Sequence, residues 1–176
     1  MNSKTTFKSK GSLVPAKLVL PLMAMVVLVW AGAGCAGRGV TLRDDGGPGP
    51  EKCSDEALKT MRILRLRPDS GALIEIDPFQ MGESPIELTD GPIESFQEES
   101  LAGLPVGTRL YGQIWTGGPD VVIRYYEALP PDGERIPICA VVRWTSDQGK
   151  KMPSTSVRVA VIASGRATMW IVHEFR

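Results

Sequence analysis

The sequence predicts a mainly β domain, a small antiparallel sandwich or barrel with one short N-terminal helix, following an export signal and a flexible tether. Three observations carry this. From residue 62 onward, short apolar runs recur about every ten residues, each bounded by Gly, Pro, Asp or Ser. An acid-led segment with a capping serine precedes them. The first 52 residues differ from the rest in composition, apolar in one block and glycine-rich in the next.

Residues 1–17 are polar and carry Lys4, Lys8, Lys10 and Lys17, and residues 18–33 form an apolar run, the order of an n-region and an h-region. A helix over that run would span about 24 Å, short of the roughly 30 Å hydrocarbon core, so a removable signal fits better than a permanent span. Gly32, Ala33 and Gly34 then lead into Cys35. These four residues resemble the lipobox at which bacterial lipoproteins are cleaved and acylated, with Gly32 standing where Leu is usual. The resemblance implies two lipid attachments at Cys35, enough for stable anchoring. With Ala36 next, the sorting rule of enteric lipoproteins would direct the chain to the outer membrane. An ordinary signal cut after Ala31 or Ala33, and an uncleaved N-terminal anchor, remain open alternatives.

Residues 36–52 hold five Gly and little apolar content, so they read as a coil reaching about 20–25 Å. The expected division is therefore signal 1–34, lipidated cysteine and tether 35–52, and β domain 53–176. Ser54 as cap, Asp55 and Glu56 in the first turn, and Ala57, Leu58 and Met61 predict the helix. Strands are expected over 62–66, 72–76, 85–88, 107–116, 121–129, 136–145, 156–163 and 167–175, with Ser164-Gly165 closing a tight hairpin. Val157, Val159 and Val161 alternate with Arg158 and Ala160, which predicts one buried face. Gly112 permits a bulge or a close backbone approach.

Charge and residue counts narrow the function classes. From residue 35 onward, 16 basic residues face 20 acidic ones, which disfavours nucleic acid as a partner. One His and three Cys argue against a metal site, and no cofactor is expected. With Cys35 assigned to lipid, Cys53 and Cys139 form an even remainder that an oxidising compartment would bridge, the alternative being two buried free thiols. No glycine elbow surrounds a serine, and no catalytic residue is expected. A rival reading, a small envelope hydrolase, would use the clustered Asp90, Glu94, Glu98 and Glu99. Trp115, Tyr125 and Tyr126, with Trp144 and Trp170, form either a stacking platform for a glycan or peptide, or core. The leading expectation is a lipid-anchored, non-enzymatic β domain that binds or supports an envelope protein or glycan, attached to the membrane through its lipid.

Cys53 with residues 57–61, Asp90-Gly91-Pro92, the run 104–112 and the run 131–139 together resemble a set of uncharacterised myxobacterial exported proteins. The resemblance covers most of residues 53–145 and implies pairing of the two cysteines. Some members are identified as serine/threonine protein kinases. This chain has no glycine-rich loop before a Val-Ala-Ile-Lys strand, no His-Arg-Asp loop and no Asp-Phe-Gly. The resemblance therefore implies at most an accessory domain associated with such kinases.

Overall fold

The computed structural model describes residues 40–144, 150–153 and 159–176. The segment expected to be an export signal, Cys35 and the first part of the expected tether lie outside them. Helix α1 spans Asp55–Ile63; Ser54 Oγ accepts the Ala57 N–H at 3.1 Å, and Asp55 and Glu56 occupy the positive end of the helix. Its buried residues, Ala57 and Met61, lie four apart and so share a face, and the helix packs on a later strand, where the Cys139 N–H donates to Met61 Sδ.

Ten strands are described: β1 Glu51–Lys52, β2 Gly71–Glu75, β3 Ile86–Thr89, β4 Gly91–Gln97, β5 Arg109–Trp115, β6 Val122–Leu129, β7 Ile136–Arg143, β8 Val159–Ile162, β9 Arg166–Ile171 and β10 Glu174–Phe175. Six of them close into an antiparallel barrel in the order β2-β4-β5-β6-β7-β9, with β9 pairing back onto β2. Two small antiparallel pairs, β3 with β8 and β1 with β10, lie outside the barrel ladder. Closure removes the unpaired edges an open sheet would leave. Ile74, Leu110, Ile114, Ile123, Tyr125, Ile138 and Met169 are all fully buried, so side chains fill the core. Within it Tyr125 and Ser95 share a 2.6 Å hydrogen bond, and Ser95 Oγ donates to the Ile76 carbonyl. Burial pushes the Tyr125 hydroxyl pKa upward, against a smaller opposing effect of the Ser95 bond, so it stays a proton donor.

Gly112 is required where it stands. A Cβ there would lie 2.0 Å from the Arg124 carbonyl oxygen, and the β5–β6 register shifts at Tyr111/Gly112. The bulge expected from sequence is therefore present.

Five expectations need correction. Residues 62–66 finish and cap α1 rather than forming a strand, because burial of Met61 one turn after Ala57 continues the helical period through Ile63. Residues 91–97, which lie outside the expected strands, form β4; its buried positions are the polar Ser95 and Gln97, which hide the usual apolar alternation. Ser164-Gly165 does not close a hairpin, since β8 pairs with β3 while β9 pairs with β2 and β7. On β8 the buried residues are Ala160 and Ile162, not the valines; residues 156–158 lie outside the described set. Finally, the compact unit begins at Val40 rather than Cys53. Gly49 donates to Thr41, Arg43 to Gly47, and residues 47–49 are buried. A stretch with few apolar side chains is ordered here through its backbone.

Candidate functional site

What orders residues 48–52 is a buried cation. Arg124, on β6, is 1% exposed, and its guanidinium lies 5.4 Å from the Trp115 ring centroid and 4.9 Å from that of Phe175. Its Nη2 donates to the Gly49 carbonyl at 2.9 Å and the Pro48 carbonyl at 3.4 Å, and Nη1 lies 3.5 Å from Glu51 Oε2. Tyr126 donates to the same Glu51 oxygen at 2.8 Å and meets Phe175 edge to face. Desolvation lowers the Arg124 pKa from its ordinary value, while Tyr126 and Glu51 act in the opposite direction. An arginine starts so far above neutrality that it stays charged. Burial, and then the bond to Glu51, raise the Tyr126 pKa.

The three aromatic residues proposed as a stacking platform are thus separated in role. Trp115 covers Arg124, Tyr126 holds Glu51, and Tyr125 is enclosed in the barrel with Ser95. They present no common exposed face. The clustered carboxylates are dispersed too. Asp90 accepts the Thr116 N–H, Glu94 pairs with Arg109 at 2.8 Å, Glu98 pairs with Arg166 at 2.8 Å, and Glu99 accepts the Leu73 N–H. Arg166 also lies 3.6 Å from Glu75, whose side chain is 3% exposed beneath Gly165. Cys53 and Cys139 stand at disulfide distance, with Cα atoms 5.9 Å apart, bringing the residue before the α1 cap to β7. Among the described residues, no group of three or more His, Cys, Asp or Glu could hold a metal ion. Among them also, no helix is long and apolar enough to cross a membrane.

Among the described residues, a groove of about 480 Å³ runs along α1 and the segment after it. Leu58, Met61 and Leu66 supply its apolar lining, and Arg62, Arg65, Arg67 and His173 its polar lining. The three arginines are exposed, and among the described residues none forms an ion pair. A second groove, of about 370 Å³, shares Pro68 and His173 with the first. There Arg143 and Arg176 are paired, with Asp69 at 3.3 Å and Glu174 at 2.9 Å. Of these two grooves, the first is therefore the one whose arginines are unpaired, on a domain whose residues 40–176 carry fifteen Lys and Arg against twenty Asp and Glu.

Local backbone geometry places Arg65 there. Leu66 N–H donates to the Met61 carbonyl at 2.8 Å and Arg65 N–H to the Arg62 carbonyl at 3.2 Å, a Schellman cap whose left-handed residue is Arg65, at φ 58°. Glycine is the usual residue at such a position, and an L side chain there costs about 1 kcal/mol. Arg62 complements the negative end of the helix. Arg65 and Arg67 lie beyond the helix and repeat a charge that Arg62 already supplies. The motif Arg62-Ile63-Leu64-Arg65-Leu66-Arg67 was visible in the sequence, but its alternation imitates a half-buried strand and so concealed the cluster.

No protein-family model matches the chain, and no curated protein matches it. The functional reading therefore rests on the chain's own sequence and geometry.

Proposed function

We propose that the chain is an exported, lipid-anchored protein whose β-barrel is a non-enzymatic binding module. The observation that carries this reading is the Cys53–Cys139 pair, enclosed at 8% and 1% exposure and at disulfide distance, which suits an oxidising extracytoplasmic compartment. The apolar run 18–33 and Cys35 supply the route there and the anchor. A core filled by side chains leaves the outer surface for recognition, and the arginine groove is its most distinctive feature. The dispersal of Asp90, Glu94, Glu98 and Glu99 over separate partners supports binding over hydrolysis. Glu75 and Glu98 do share Arg166, but Glu75 is too enclosed to meet a substrate.

Metabolic labelling with a fatty acid tests the anchor. The wild-type chain is expected to take the label and Cys35→Ala to lose it. Equal labelling of the variant would sink the proposed anchor, and intact-mass measurement of the mature N-terminus would then distinguish simple cleavage from retention of the apolar run.

A further inference from the structure

We propose that the groove lined by Arg62, Arg65 and Arg67 binds the phosphate-bearing headgroup of an anionic lipid. This deepens the binding reading of the groove and does not depend on acylation of Cys35. Three features point to that chemistry. Guanidinium groups match phosphate oxygens with paired, charge-assisted donors, and three of them here have no ion-pair partner among the described residues. The same groove has an apolar lining of Leu58, Met61 and Leu66, and Ile63, between the first two arginines, is 70% exposed. A ligand that is both anionic and apolar uses all of these surfaces, whereas a small free anion leaves the apolar part unused. Arg65, moreover, occupies a left-handed backbone position that glycine would fill without strain. A long cation at that position, beside two others, fits a role for its side chain outside the fold.

The ligand meets a positive patch on a domain whose overall balance is acidic. Attraction is therefore local, within about 10 Å at moderate salt, and an anionic surface placed against other faces is repelled. That favours a headgroup seated at α1 over diffuse adhesion of the whole domain.

The experiment is calorimetric titration of the full chain in a neutral detergent with dihexanoyl phosphatidylglycerol, dihexanoyl phosphatidylcholine and inorganic phosphate, each as a separate probe. Phosphatidylglycerol should bind about tenfold more tightly than either of the others. Replacing all three arginines, as Arg62→Gln, Arg65→Gln and Arg67→Gln together, should weaken that binding by about tenfold or more. A control chain carrying Arg109→Gln and Arg135→Gln, exposed arginines of β5 and the loop before β7, should bind as the wild type does. Arg65→Gly serves as a second test, because it removes the side chain at a backbone position glycine accepts. Unchanged phosphatidylglycerol binding by the triple variant overturns the proposal. So does equal affinity for inorganic phosphate or for phosphatidylcholine. Loss of the fatty-acid label in cells leaves these titrations unaltered, so failure of the anchor and failure of the groove are read separately.

Discussion

Arg124 and Arg65 carry the same side chain into opposite settings. Arg124 is enclosed by two rings, two carbonyls and a carboxylate, and its charge organises residues 48–52 against the barrel. Arg65 is exposed, without an ion-pair partner among the described residues, and held by a backbone conformation that works against any side chain. One is used by the fold. The other is carried in spite of the fold, which is why the groove rather than the aromatic cluster attracts the functional reading. A buried cation with fixed partners is evidence about architecture; an exposed one at a strained position is evidence about something outside the molecule.

Cys53 separates the two settings along the chain, with β1 before it and α1 after it, so breaking its bond to Cys139 should disturb both at once. The pair closes a loop of 86 residues, for which chain entropy gives about 4–5 kcal/mol. In the Cys53→Ala, Cys139→Ala double variant the thermal midpoint should fall by about 10–20 °C. An unchanged midpoint would mean that packing alone holds both arginine settings in place.

Arg124→Met removes the cation while keeping an apolar stem between the rings. The Pro48 and Gly49 carbonyls and Glu51 would then lose their partner, for a loss of about 3 kcal/mol. Cleavage after Arg43 should also accelerate, because the segment before β1 would detach from the barrel. Arg124→Lys should fall between, since a single ammonium cannot reproduce the guanidinium fork. Stability within experimental error of wild type would show that β1–β10 pairing, not the cation, fixes residues 48–52.

These two tests mark where sequence reading succeeded and where it stopped. Strands β5, β6 and β7, the cap at Ser54 and the cysteine pair were legible because each leaves a local signature: alternation, a capping residue, an even thiol count. The ordering of residues 48–52 was not, because it depends on one arginine more than seventy residues away bonding to carbonyls that any sequence possesses. Strand β4 was hidden for a related reason. Ser95 and Gln97 are buried through hydrogen bonds, with Ser95 Oγ on the Ile76 carbonyl and Gln97 Nε2 on the Leu104 carbonyl, so a polar residue stood where pattern reading expects an apolar one. The arginine groove lay in plain view as a charged run, but only the left-handed cap at Arg65 distinguishes it from a solvated face.

Arg65→Gly sharpens the contrast with the opposite sign. Glycine accepts φ 58° without the Cβ penalty of about 1–2 kcal/mol, and the entropy it adds to the unfolded chain offsets about 0.4–1 kcal/mol of that, so this variant should be more stable than wild type by about 0.5 kcal/mol. Denaturant titration would show a higher midpoint at an unchanged slope. A destabilised variant would mean that the Arg65 side chain serves the fold after all, and the distinction from Arg124 would collapse.

The smallest effect concerns a buried charge between these extremes. Glu75 is as enclosed as Arg124, but its cation, Arg166, is 63% exposed and divides itself between Glu75 and Glu98. Desolvation first, and then the nearby Glu98 charge, raise the Glu75 pKa above its ordinary 4.5, with Arg166 opposing and Asp77 adding a lesser push upward. A raised native pKa means that the folded state binds more protons than the unfolded state just above pH 4.5. Stability therefore declines as pH rises from about 4.5 through the raised native value, and levels off above it. Glu75→Gln abolishes that contribution while leaving every other titrating group in place. The difference in unfolding free energy between variant and wild type should accordingly grow in favour of the variant across that interval, and stay constant below it. A flat difference would show that an exposed, shared arginine neutralises a buried carboxylate as well as rings and carbonyls enclose Arg124. A difference of opposite sign would mean that the Glu75–Arg166 attraction outweighs both burial and repulsion from Glu98, and that an exposed partner can organise a buried charge.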